Sequence, residues 1–128
     1  MDYLHVTVRH LEQDIPLIEV AGSAGHLSGD GLKLAIGSLM KQGHKDVIVS
    51  LSRVHHLDSS GLGVIMGALR CCRDHGGAIR IVCGMQGVRR IFELTAMDKL
   101  LNLYCTEEQA LDAAMHRSTG GFAGYPAN

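Results

Sequence analysis

The segment Leu57-Asp58-Ser59-Ser60-Gly61-Leu62-Gly63 sets two hydroxyls beside a carboxylate, between a strand-like run and a helix-like run. Asp58 or Ser59 can cap the helix by accepting a bond from a first-turn amide, which leaves a serine hydroxyl at the positive end of the helix dipole. Such a position favours negative charge, phosphate included. A phosphate on a surface turn adds about two negative charges, enough to abolish a docked interface by desolvation and repulsion. Simple helix capping is the plainer reading of the two serines.

A serine nucleophile is the competing chemistry. It needs a base within reach, and the usual strand-turn-helix elbow reads Gly-x-Ser-x-Gly. Leu57 and Asp58 stand two residues before the serines, so the elbow is absent and the chain reads as a non-enzyme. His55 and His56 lie near in sequence, on what reads as a polar connection from Ser52 to Leu57. The eight histidines are scattered over strands, loops and helix ends without a two-histidine helical pair, so no metal site is expected. Arg89-Arg90 offers a phosphate or partner contact, with a solvated helical face as the alternative. Gly84 to Gly87 lacks a lysine-serine phosphate cradle, and no cofactor is expected.

The elements around the segment follow from periodicity. Asp46 to Leu51 is a short, nearly continuous apolar run rich in β-branched residues, which predicts a strand buried on both faces. Leu62, Ile65, Met66, Leu69 and Cys72 recur at helical spacing and predict a helix with one buried stripe, ending at His75-Gly76-Gly77. Ala78 to Cys83 is the next strand, so strand, helix and strand form a parallel crossover. Earlier, Tyr3 to Arg9 and Ile15 to Gly22 predict an antiparallel pair joined by a turn at His10 to Asp14. A helix capped by Ser28 or Asp30 follows, with Leu32, Leu34, Ala35, Leu39 and Met40 as its apolar side and Gly43 as its stop. Later, Val88, Ile91, Phe92 and Leu94 predict a short helix, and Leu100 to Tyr104 a last strand. Thr106-Glu107-Glu108-Gln109 fits a capping box that opens a final helix.

At 128 residues the chain is one domain by size. A formal net charge of -1 gives no electrostatic footprint for nucleic acid or an anionic membrane. No apolar run approaches the roughly 20 residues that cross a bilayer, and the start Met-Asp-Tyr-Leu-His lacks a signal layout, so a cytoplasmic protein is expected. Four cysteines without paired spacing read mostly as reduced core thiols. Residues 1–116 form the expected domain and 117–128, small, polar and glycine-rich, a disordered tail.

Laid out this way, the sequence resembles the STAS domain of bacterial anti-sigma-factor antagonists. Val54-x-x-Leu57-Asp58-Ser59-Ser60-Gly61-Leu62-Gly63-Val64-Ile65 carries most of the resemblance. Gly76-Gly77-x-Ile79-x-Ile81-Val82, Val88-x-Arg90-Ile91-Phe92-x-Leu94-Thr95 and Glu107-Glu108-Gln109-Ala110-Leu111 support it, over residues 3–115. It implies an α/β fold: a single domain with a mixed four- to five-stranded sheet and helices mainly on one face. It also implies partner switching. The unphosphorylated domain docks on an anti-sigma factor that is a serine kinase, phosphorylation breaks the dock, and a PP2C-type phosphatase resets it. Carried over by position, Ser60 is the phosphoacceptor, with Ser59 second to it, while Asp58, Ser59, Gly61 and Leu62 shape the docking surface. His56 and Gly25 stand at further partner-facing positions and both depart from the family pattern, His56 replacing an apolar residue and Gly25 an acidic one. The loss of that acidic residue motivates an alternative, a constitutive interaction or scaffold domain without a working phosphoswitch.

Overall fold

The computed structural model describes residues 5–24, 29–99 and 101–116, with the backbone alone for 5, 22–24, 29, 30 and 60. The elements in chain order are β1 (His5–His10), β2 (Pro16–Ala24), α1 (Gly29–Lys41), β3 (Asp46–Leu57), α2 (Ser59–Asp74), β4 (Ala78–Val82), α3 (Gln86–Leu94), β5 (Asn102–Tyr104) and α4 (Glu107–Met115). Single 3-10 turns cover Glu12–Asp14 and Met97–Lys99. The five strands form one sheet in the order β1-β2-β3-β4-β5. β1 and β2 pair antiparallel, and the remaining pairs are parallel, so the sheet is mixed.

The apolar run of β3 lies at the centre because it can be covered on both sides. Val47, Ile48, Val49 and Leu51 are fully buried. Val49 and Leu51 share a core with Leu32, Ile36 and Leu39 of α1, Ile65, Leu69 and Cys72 of α2, and Val88 and Phe92 of α3. On the opposite face Ile48 packs with Leu17, Val82, Tyr104 and the α4 residues Ala110 and Ala114. Three helices therefore cover one face and α4 the other, as small residues on α4 let it sit close to the strands.

Several expectations are corrected here. Residues 52 to 57 do not form a connection; β3 continues through them, with Val54 and Leu57 buried. The register with β2 explains why alternation fails to show it. Glu19 pairs Ser50 while Ala21 pairs Arg53, and Gly22 pairs Val54 while Ser23 pairs His56, so β3 carries one extra residue at each step. Each bulge lengthens the spacing of inward residues from two to three, which yields the buried series Leu51, Val54, Leu57. Leu34 is 71% exposed, and Ile36 takes its place in the core, because the buried stripe of α1 runs through 32, 36, 39 and 40. Leu94 is likewise exposed at the end of α3. β5 begins at Asn102, later than expected. Asp30 lies inside α1, so it does not cap it, and Ser28 and the tail from 117 lie outside the described residues.

An ion pair joins two strands of the sheet, its arginine buried and its aspartate partly exposed. The Arg80 side chain is 2% exposed and its Nη1 donates to Asp46 Oδ1 at 2.6 Å, across β3 and β4. Ser50, also buried, donates from its hydroxyl to Ser52 Oγ at 3.1 Å.

Candidate functional site

β3 delivers the chain to Asp58 at the carboxyl end of a central parallel strand, where open sheets present ligand and partner surfaces. Asp58 has extended backbone (φ -108, ψ -172), and its Oδ1 accepts from the Gly61 amide at 2.9 Å. Its carbonyl accepts from the Leu62 amide at 2.9 Å. Asp58, and not Ser59, is thus the cap, and Ser59 and Ser60 are the first two residues of α2. The first turn holds amides that the helix itself leaves without partners, so a charge placed there meets the positive end of the dipole.

Asp58 and Ser59 are exposed, whereas Gly61 is buried and Leu62, half-buried, packs against the main core. The loop is consequently anchored from below by Gly61 and Leu62 and open above at Asp58 and Ser59. His55 and His56 are both exposed on β3, just ahead of the loop. Gly25 lies outside the described residues; Ala24, which precedes it, pairs with Leu57 and so ends β2 alongside the loop. The structure therefore brings the end of β2, the end of β3 and the start of α2 to one edge of the sheet.

Two glycines of α2 extend this surface. Gly63 and Gly67 follow Ser59 at four-residue intervals, and a Cβ built on either meets no atom within 4 Å. Glycine in a helix interior costs about 1 kcal/mol relative to alanine, so both run against local propensity. Their signal in the sequence is that cost without a packing reason. Arg89 is not on a solvated face: its Nη1 donates to the Cys83 carbonyl at 3.1 Å and braces the turn between β4 and α3, while Arg90 is exposed. Burial pushes the Cys83 thiol up to about 11, against the opposing pull of the Arg89 guanidinium. Cys72 is buried like Cys83, Cys71 is half-buried and Cys105 is exposed.

A family model described as STAS domain matches residues 7–110. The chain belongs to the STAS domain family. Among relatives of this STAS domain, the anti-sigma-B factor antagonist of Bacillus subtilis is 27% identical over 105 residues, covering 82% of this chain and 94% of the relative. The anti-sigma F factor antagonist of Paenibacillus polymyxa is 23% identical over 109 residues, covering 84% of this chain and 92% of the relative. The crystal structure of an anti-sigma factor antagonist from Mycobacterium paratuberculosis superposes with a TM-score of 0.77 at 25% identity, covering 89% of this chain and 96% of that one. The mixed sheet and its helices are thus the STAS fold. No described helix is long and apolar enough to cross a membrane.

Proposed function

We propose that this STAS domain is an anti-sigma-factor antagonist switched by phosphorylation at Ser60. In the unphosphorylated form the start of α2 docks on a serine-kinase anti-sigma factor in the cytoplasm. The kinase transfers the γ-phosphoryl group of ATP to the Ser60 hydroxyl, whose proton passes to a base of the kinase. The phosphate ends the dock, and a PP2C-type phosphatase hydrolyses the ester to restore it. The domain itself supplies no catalytic group, cofactor or metal for this cycle.

The observation that carries the reading is the Asp58-capped start of α2, with its two serines in the first turn at the carboxyl end of β3. The antagonists named above align with it over nearly their whole length, 92% and 94%. Asp58 fixes the turn through the Gly61 amide and Leu62 ties it to the core, while the exposed Ser59 and His56 add to the partner surface, to which Gly25 is assigned by sequence position alone. A first-turn phosphate is compatible with the helix, since it meets the favourable end of the dipole. Its effect falls on the partner, which must desolvate a dianion beside the exposed Asp58 carboxylate.

The constitutive scaffold remains the second reading because Gly25 occupies the position of the family's acidic residue. Binding of Ser60→Asp and Ser60→Ala to the cognate anti-sigma factor separates the two. The switch predicts weakened binding for the aspartate and retained binding for the alanine. Equal binding of both denies charge at this position its controlling role.

A further inference from the structure

At the end of the sheet opposite Asp58, three side chains able to ligate a metal come together from two separate connections. His10 ends β1, Asp14 ends the first 3-10 turn and His44 follows α1. One ligand-capable atom from each of the three lies within 4.8 Å of the other two, and among the described residues no other such group occurs. His10 Nδ1 and Asp14 Oδ1 are 2.9 Å apart. The His10 and His44 rings lie 5.7 Å apart between centroids, with 43° between their planes.

Both connections are held by their backbones. Gln13 and Asp14 adopt left-handed conformations, φ 59 and 57, which cost free energy for residues other than glycine. That bend turns Asp14 back toward His10. Across from it, Gly43 at φ 98 ends α1, as the sequence predicts. The Gly43 amide donates to the Met40 carbonyl at 3.0 Å and the His44 amide to the Leu39 carbonyl at 3.2 Å. This paired arrangement fixes a helix terminus, and with it the position of His44.

We infer that His10, Asp14 and His44 bind a divalent transition-metal ion of the zinc type, through two imidazole nitrogens and one carboxylate oxygen, with a fourth position open to water. Imidazole ligands suit zinc, copper and nickel, whereas magnesium and calcium take oxygen sets. Bond lengths of about 2.0–2.2 Å place two donors on a tetrahedral ion about 3.3 Å apart. The His10–Asp14 pair lies close to this at 2.9 Å, and the His44 donor, within 4.8 Å of the other two, has to move inward to complete the set. The ion would tie the β1–β2 turn to the α1–β3 turn and stabilise the folded chain by mass action. The twelve residues of β3 separate this site from Asp58 by roughly 35 Å, so zinc binding stands or falls independently of the phosphoswitch.

The test is a zinc titration of the full chain without an affinity tag, followed by calorimetry, amide NMR and thermal unfolding. One equivalent should bind, amide shifts should centre on residues 10–14 and 43–46, and the unfolding midpoint should rise with zinc. His10→Gln and His44→Gln should each weaken binding by about tenfold or more and abolish the thermal shift. His116→Gln is the control: His116 Nδ1 sits 3.2 Å from Asp112 Oδ1 in the same i,i+4 pairing, but the pair belongs to no group of three among the described residues, so binding should be unchanged. Should a histidine variant fail to fold, Asp14→Asn, at an exposed side chain, takes its place. No saturable binding at about 100 µM zinc, shifts centred elsewhere, or undiminished affinity in the double variant H10Q/H44Q overturns the inference.

Discussion

Replacing Gly63 with alanine should make the protein more stable and a worse partner. The added methyl meets no atom within 4 Å, so no steric term offsets the gain in helix propensity. That gain is about 1 kcal/mol, or roughly 4 °C in melting temperature for a domain of this size. Urea and thermal unfolding measure it directly. If the docked partner lies against the strip formed by Ser59, Gly63 and Gly67, the same methyl intrudes on a packed contact, and overpacking costs about 1–3 kcal/mol. Calorimetric binding to the cognate anti-sigma factor should then weaken about tenfold. Destabilisation by Gly63→Ala would refute the open face, and a stabilised variant with undiminished binding would place the interface elsewhere.

Asp58→Ala removes the oxygen that accepts from the Gly61 amide and should cost about 1 kcal/mol in urea unfolding, with Asp58→Asn losing much less; equal losses would mean the cap bond is not what Asp58 contributes. Asp46→Ala strips the 2%-exposed Arg80 of its carboxylate and should cost about 3–5 kcal/mol, most of it recovered when Arg80→Met is added; a double variant as unstable as the single one would show that the charge is not the cause. The Cys83 thiol, raised from 9.0 to about 11, keeps its proton to higher pH in the folded chain than in the unfolded one. Its contribution to stability is thus full below pH 9 and lost as the pH rises toward 11, and Cys83→Ala should flatten that fall. An unchanged slope in the variant would remove burial as the source of the shift.

The sequence made the centre of the fold legible because its signals there are local and consistent. Val47 to Leu51 is a β-branched apolar run that suits a strand covered on both faces, and the α2 stripe from Leu62 to Cys72 has a single period. The capping box at Thr106 and Gln109 was also legible: the Thr106 hydroxyl accepts from the Gln109 amide at 3.1 Å, while Gln109 Oε1 accepts from the Cys105 amide at 3.0 Å, one residue before the cap. What stayed hidden depends on contacts between distant segments. Two bulges against β2 turned the end of β3 into a pattern of three that no alternation rule reads. Leu34 and Leu94 look like core by residue type, and only the azimuth of the packed stripe exposes them. His10, Asp14 and His44 have no metal-ligand spacing, since two turns bring them together only after the sheet forms.

At the site, Asp58 as cap and the serine pair at the helix start follow from residue type and position. Gly63 and Gly67 do not, because a glycine in a helical stripe reads only as a penalty until its surroundings are seen to be empty.

The most direct test of the switch is to incubate the protein with its cognate anti-sigma kinase and ATP, map the phosphate by mass spectrometry, and measure the affinity of the modified form. The account predicts a single phosphate on Ser60 and an affinity at least about 100-fold lower, the equivalent of about 2.7 kcal/mol. A chain left unmodified at Ser60, or one that carries the phosphate and binds as tightly as before, would contradict it.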